Sequence, residues 1–115
     1  MKSLGIEGEN LAVKFLKGNG YKIIARNYKT SIGEIDIIAK DGETIVFIEV
    51  KTRTDDSFGY PFEAVHTKKK QKLKKLALLY LKKQKKEYPA RFDVLSIYKN
   101  YGKYEIEHIK DAFEV

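Results

Sequence analysis

The chain has 115 residues, 43% of them hydrophobic and 34% charged, a balance that fits one globular domain and excludes an intrinsically disordered polymer. It has no cysteine, which excludes disulfides, cysteine-ligated zinc and thiol catalysis. No apolar run approaches the ~20 residues of a membrane helix, and Met1-Lys2-Ser3-Leu4-Gly5 opens no signal-peptide core, so a cytoplasmic protein without a membrane partner is expected.

The first predicted element is a helix from Leu4 to about Lys17. Leu4, Leu11, Ala12, Phe15 and Leu16 fall on one apolar stripe, and Gly18-Asn19-Gly20 supplies the stop. Glu7 and Glu9 lie on opposite edges of that stripe, and periodicity alone does not choose between them. Tyr21 to Tyr28 then reads as a strand. Lys29-Thr30-Ser31-Ile32-Gly33 reads as a turn.

The next stretch is a predicted hairpin of two strands, Gly33–Lys40 and Glu43–Lys51, joined at Asp41-Gly42. A two-residue Asp41-Gly42 loop sets Lys40 against Glu43, Asp36 against Phe47 and Glu34 against Glu49. Strand alternation then puts Glu34, Asp36, Ile38, Phe47, Glu49 and Lys51 on one face. Ile35, Ile37, Val46, Ile48 and Val50 cover the other. Charges on an apolar sheet need a reason. Asp36 and Glu49, diagonal neighbours roughly 5–8 Å apart, lie within reach of one Mg²⁺-sized ion. Such an ion activates water and neutralises charge building on a phosphodiester, while Lys51 orients or deprotonates that water or stabilises the developing charge. The plainer alternative is a pair of sheet-edge ion pairs, Glu49–Lys51 and Glu34–Arg53.

Thr54 to His66 reads as a loop with Asp55-Asp56-Ser57 and Phe58-Gly59-Tyr60-Pro61, a crossover rather than a substrate-side loop. Glu63 reads as helix-leading or structural and His66 as a surface residue. A long helix follows from Thr67, as N-cap, to about Lys86, stopped by Pro89. Its buried stripe is Leu73, Leu76, Ala77, Tyr80 and Leu81.

The net charge of +7 concentrates on this helix. Residues 1–65 carry nine basic and ten acidic side chains, residues 68–86 carry ten lysines and no acid, and residues 87–115 carry four basic and six acidic. A solvated face would mix in glutamates at i,i+4 spacing, so a polyanion partner is expected. Lys68, Lys69, Lys70, Lys72 and Lys75, with Arg53, are the candidate nucleic-acid contacts. Lysine rather than arginine favours backbone contact over base reading. Arg91 to Tyr98 and Lys103 to Ile109 form a second hairpin about Asn100-Tyr101-Gly102. Phe92 and Val94 read as core, Tyr98, Tyr101 and Tyr104 as cross-strand pairs or base-stacking groups, and Phe113 as docked on the sheet.

The motifs along this chain resemble those of the YraN family of small bacterial proteins, in the restriction-endonuclease-like PD-(D/E)XK superfamily. The residues carrying the resemblance are Gly8-Glu9 with Ala12 and Leu16, Gly20-Tyr21, Arg26-Asn27, Gly33 to Ala39, Val46 to Arg53, Phe58-Gly59, Pro61, Glu63-Ala64-Val65, Lys70, Ala77, Tyr80-Leu81 and Arg91-Phe92-Asp93-Val94. The resemblance implies that Asp36 and Glu49 bind Mg²⁺ or Mn²⁺, that Val50 adds its backbone carbonyl, and that Lys51 is the catalytic lysine. It also implies that Glu9 matches the first-helix glutamate of archaeal Holliday-junction resolvases, which favours Glu9 over Glu7. Two departures are Ile35 in place of a proline before Asp36, and Lys75 where some relatives place the tyrosine of a Gln-x-x-x-Tyr motif that would start at Gln71.

The expected architecture is α/β, a restriction-endonuclease-like core in the order αβββαββ, with helices flanking a mixed sheet and residues 1–115 forming one endonuclease-like domain. The expected activity is Mg²⁺-dependent hydrolysis of DNA, including branched or structured DNA. The alternative is a non-catalytic nucleic-acid-binding or adaptor protein on the same fold. Superfamily members that cut both strands often work as dimers, which makes a homodimer an option.

Overall fold

The computed structural model describes residues 2–54 and 67–113, with side chains over 5–53 and 68–113. The elements are α1 (Lys2–Gly18), β1 (Lys22–Lys29), β2 (Glu34–Asp41), β3 (Thr44–Thr54), α2 (Thr67–Lys82), β4 (Ala90–Asn100) and β5 (Lys103–Phe113), which is the expected αβββαββ order. The expectations placed on the Asp55–Pro61 loop, on Glu63 and His66, and on the side chains of Leu4 and Thr67 lie outside the described residues.

The five strands form one sheet in sequence order. β1–β2, β2–β3 and β4–β5 are antiparallel, while β3–β4 is parallel and is joined by the segment that includes α2. The two helices cover opposite faces. Ala12 and Leu16 of α1 pack with Ile37, Ala39, Val46, Ile48, Leu95 and Ile97. Leu73, Leu76 and Ala77 of α2 pack with Ile35, Ile38, Ile45, Phe47, Phe92 and Val94. Strands covered on both faces need apolar side chains in both parities, which is why Ile45–Ile48 and Val94–Leu95 read as unbroken apolar runs.

Helix α1 ends where the glycines predict. Tyr21 N–H donates to the Leu16 carbonyl at 2.9 Å and Gly20 N–H to that of Lys17 at 3.1 Å, with Gly20 at φ 87°, a Schellman cap. The cap turns the chain straight into β1. Helix α2 stops at Lys82, four residues short of expectation. Gln84 Nε2 donates to the Tyr80 carbonyl at 3.1 Å, while Lys83 and Gln84 N–H close tight turns on Tyr80 and Leu81. The chain must then reach Pro89, whose carbonyl accepts the Ile45 N–H at 2.9 Å and starts β4 alongside β3.

The central hairpin differs from expectation in register. Asp41 pairs with Thr44, Ile38 with Phe47 and Ile37 with Ile48, so the loop is Gly42-Glu43 and not Asp41-Gly42. Glycine suits the first loop position of a type II′ turn, and Gly42 has φ 62°. Asp41 stays in the strand because Arg91 Nη1 holds its carboxylate at 3.1 Å. Extended along the strands, this register sets Asp36 against Glu49 and removes Glu34 from that position. Glu34 instead lies 4.0 Å from Lys29, an ion pair at the edge strand.

The face assignment holds for Ile38, Phe47 and Glu49 and for Ile37, Val46, Ile48 and Val50, but it fails for Ile35. Ile35 packs on the α2 side and Ile37, two residues on, packs on the α1 side, so alternation breaks at Asp36. Across the ladder, Arg26 pairs with Ile37 and Tyr28 with Ile35, which leaves Asn27 facing Asp36, and Asn27 is left-handed at φ 51°. Both strands are irregular at one rung, and the candidate site is built there.

The second hairpin turns on Tyr101 and Gly102 at φ 51° and 77°, the two left-handed positions of a type I′ turn. β5 runs four residues further than expected. A bulge with Asp111 at φ 54° brings Phe113 onto Phe92, ring centroids 4.4 Å apart and stacked.

Candidate functional site

The ladder between β2 and β3 is paired up to Ile37 and Ile48, and the site begins just past that point. There Val50 N–H donates to Asp36 Oδ2 at 2.9 Å, so the carboxylate replaces the next ladder acceptor. Glu49, 6% exposed, projects from β3 toward α2. Its Oε2 is met by Lys51 Nζ at 3.3 Å and by Lys69 Nζ from the first turn of α2. Burial and the neighbouring Glu49 charge push the Asp36 carboxyl up to about 7, although the Val50 N–H works against them. Glu49 is buried and takes both ammonium groups, while Asp36 is half-buried and has the Val50 N–H as its donor.

Asp36 is also the wall between two clefts. On the α1 side a cleft of about 440 Å³ is bordered by Glu9, Asn27, Asp36, Val50 and Thr52. On the α2 side a smaller one of about 210 Å³ is bordered by Glu34, Asp36, Glu49, Lys69 and Lys72. The helix places Glu7 and Glu9 as the wheel predicts, on opposite edges. Tyr104 of β5 donates to Glu7 Oε1 at 2.7 Å, and the Glu9 side is held by β1, where Asn27 Nδ2 donates to Oε1 at 2.8 Å and Arg26 Nη2 at 3.2 Å. Glu9 thus borders the Asp36 cleft, and Glu7 is a tether to the far edge strand.

α1 lies close enough for this because Gly8 passes directly over Thr52. A Cβ at Gly8 would overlap the Thr52 Cγ2. Glycine here is a matter of approach and not of backbone angle.

The sequence-predicted residues therefore divide. Asp36, Glu49, Lys51 and Val50 come together at one rung. Glu9 borders the same cleft but is engaged by Arg26 and Asn27, and among the described residues no group of three or more acidic or histidine side chains forms a ready metal cage. A pair of carboxylates fits Mg²⁺, which keeps several waters and takes one or two protein carboxylates. Of the basic set, Lys68, Lys72 and Lys75 are exposed, Lys72 beside the α2-side cleft. Lys70 instead lies over the Phe113 ring at 5.5 Å, a packing contact. Arg53, two residues beyond Lys51, is half-buried in register with Tyr98.

Three features were not read from the sequence as part of the site. Lys69 is an ion partner of Glu49, not only an outer-face lysine. Its signal was present, since Lys69, Leu73, Leu76, Ala77 and Tyr80 share the i, i+4, i+7 stripe that faces the sheet. Asn27 and Arg26 fix Glu9, and an asparagine inside a strand is the residue type that tolerates a left-handed bulge. Ser96, in register with Lys51, is fully buried with its Oγ unpartnered among the described residues.

The fold and this rung define a class: an α/β protein whose central strands carry an aspartate and a Glu-x-Lys triplet on one irregular rung, beside a lysine-rich helix. The model of "Uncharacterised protein family UPF0102" matches residues 8–97, and the chain belongs to that family, in agreement with the YraN-like resemblance of its motifs. It is 56% identical over 110 residues to a UPF0102 protein of Thermodesulfovibrio yellowstonii, covering 96% of this chain and 95% of the relative. It is 51% identical over 116 residues to one from Geotalea uraniireducens (99% and 91% covered) and 50% identical over 115 residues to one from Geobacter metallireducens (99% and 94%). Among the described residues, no helix is long and apolar enough to cross a membrane.

Proposed function

We propose that this protein is a Mg²⁺- or Mn²⁺-dependent nuclease acting on DNA, with Asp36, Glu49 and Lys51 at its centre. The observation that carries the reading is the meeting of Asp36 and Glu49 at one rung with Lys51 3.3 Å from Glu49, next to an open cleft. A buried and a half-buried carboxylate set close together offer hard oxygen ligands to a divalent ion. Such an ion, when held, supplies charge neutralisation and an activated water.

The remaining work falls to the chain's own groups. Asp36 and Glu49 offer ligand oxygens, and Val50 fixes Asp36 through its N–H while its carbonyl is the third candidate ligand. The Lys51 ammonium is placed to hydrogen-bond the attacking water and to stabilise negative charge on the phosphate oxygens as one P–O bond forms and the other breaks. Glu9, held by Asn27 and Arg26, can order water on the α1 side. Lys68, Lys72 and Lys75 are suited to holding the phosphate backbone, together with Arg53.

The test is incubation of purified protein with Mg²⁺ or Mn²⁺ and a panel of linear, flap and four-way DNA. The expected result is cleavage that chelator stops and that Asp36→Ala or Lys51→Ala abolishes. Salt-dependent DNA binding that is indifferent to chelator and to Glu49→Ala, with no cleavage of any substrate, sinks the nuclease and leaves a nucleic-acid-binding or adaptor protein.

A further inference from the structure

Lys69 poses a question that cleavage alone does not answer. It sits in the first turn of α2, where the helix dipole disfavours a cation, yet its ammonium is drawn inward onto Glu49 Oε2. The same oxygen already carries Lys51 at 3.3 Å. Among the described residues, Lys69 is the α2 lysine whose Nζ reaches an acidic side chain, while Lys68, Lys72 and Lys75 face solvent.

We propose that Lys69 is the resident counter-ion of the carboxylate pair, displaced when a divalent ion enters and thereby released to a phosphate of the nucleic acid. The proposal rests on the metal-site reading above. A divalent ion on Asp36 and Glu49 competes for the oxygen that Lys69 holds and repels its ammonium at close range. The Lys69 side chain is 42% exposed, so its head has an outward path along a flexible four-carbon stem. Outward lies the α2-side cleft that Lys69 shares with Lys72, the place where a phosphate backbone tracking the lysine face would pass. Lys51 has no such freedom of role, because it rises from β3 in register with Ser96 at the centre of the sheet.

The consequence is thermodynamic. Ion binding exposes a phosphate-seeking lysine, and phosphate binding removes a competitor from the ion's ligands, so each raises the affinity of the other by the same factor. The protein then grips nucleic acid tightly only when it is loaded for chemistry. The residue acts on binding, and its effect is read without any turnover.

The experiment compares wild type with Lys69→Met, Lys69→Arg and the exposed control Lys68→Met, all as the full chain. Mn²⁺ affinity is measured by calorimetry, and affinity for a labelled DNA duplex by anisotropy in Ca²⁺ and in chelator. Lys69→Met is expected to tighten Mn²⁺ binding on the order of tenfold, about 1.4 kcal/mol. It should weaken DNA binding in Ca²⁺ but scarcely in chelator, and so lower the coupling. Lys69→Arg should stay close to wild type, and Lys68→Met should weaken DNA binding alike in both buffers. Unchanged or weaker Mn²⁺ binding by Lys69→Met, or a DNA loss equal in both buffers, overturns the exchange while leaving the metal site standing. A wild-type protein that takes up no Mn²⁺ overturns the site and the exchange together.

Discussion

Asp36 and Asp93 are the same side chain in adjacent parts of one sheet, and their surroundings drive them in opposite directions. Asp93 is closed off from solvent on the α1 side of β4, where His108 Nε2 lies 2.7 Å from Oδ2 and Arg91 Nε donates to Oδ1 at 3.0 Å. The N–H of Asp111, at the bulge of β5, adds a third bond at 2.9 Å. Burial pushes this carboxyl up, but the hydrogen bonds from His108, Arg91 and Asp111 outweigh it and hold it below the ordinary carboxylate range. Asp36 has one backbone N–H and a second carboxylate for company, and it rises to about 7. One network is complete within the chain. The other sets Asp36 beside a second carboxylate, and both ammonium contacts, from Lys51 and Lys69, go to Glu49.

Removing each carboxylate is the sharpest way to break this contrast. Asp93→Ala leaves Arg91 and His108 facing an apolar gap, and it should cost about 3–5 kcal/mol in urea unfolding, the usual penalty for stripping one partner from a buried ion pair. Asp36→Asn should do the reverse in metal-free protein. The amide oxygen still accepts the Val50 N–H, and the charge opposing Glu49 is gone. A gain of about 2–4 kcal/mol above pH 7 is expected from the size of the shift. Equal losses from both substitutions would abolish the distinction.

The pH dependence gives a second view with opposite signs. The folded protein holds the Asp36 proton more tightly than the unfolded chain does, so its contribution is full below pH ~4 and is lost as pH rises through about 7. Asp93 is held below the ordinary value, so its contribution is present above that value and is lost as pH falls through its folded pKa. Metal-free wild type should therefore lose stability on both sides of mildly acid pH. Asp36→Asn should flatten the alkaline limb alone, and on the proposed metal site saturating Mn²⁺ should do the same for wild type.

Gly8→Ala asks whether the two networks are separable. The added methyl meets Thr52 and must lift the N-terminal half of α1, at a cost of about 1–3 kcal/mol for overpacking. The lift carries Glu9 away from Asn27 and widens the cleft beside Asp36. The Asp93 network should not feel it, because His108 packs on Phe15 and Tyr21 at the other end of α1, with ring centroids 6.0 and 5.9 Å away. Weaker Mn²⁺ binding with an unchanged acid limb is the expected pattern.

Much of this was legible in the sequence and some was not, for physical reasons. Periodicity and glycine placement located all seven elements, since apolar stripes and turn residues act locally. The grouping of Asp36, Glu49 and Lys51 survived a hairpin register wrong by two residues, because a two-residue slip preserves which face each side chain takes. Ile35 was misplaced because the break in alternation at Asp36 depends on Asn27 in a neighbouring strand, a non-local cause. Lys69 lay on the inward stripe but was masked by nine similar lysines around it. The Asp93 network joins Tyr21 just before β1, Asp41 at the end of β2, Arg91 near the start of β4 and His108 in mid-β5, and no spacing rule links them.

Ser96 carries the smallest expected effect and tests how far the site extends. It lies three residues past Asp93 on β4, but on the opposite face, in register with Lys51. Its hydroxyl is buried and unpartnered among the described residues, a condition that costs roughly 1–3 kcal/mol where no partner exists. Ser96→Ala removes the hydroxyl and little volume, so if the oxygen is orphaned the stability change should lie within about 0.5 kcal/mol of zero or favour the variant. A clear destabilisation by urea titration would instead show that the hydroxyl is satisfied in the folded protein. Strand β4 would then contribute a polar group beside Lys51, and the unsatisfied side of the comparison would reach across three strands rather than two.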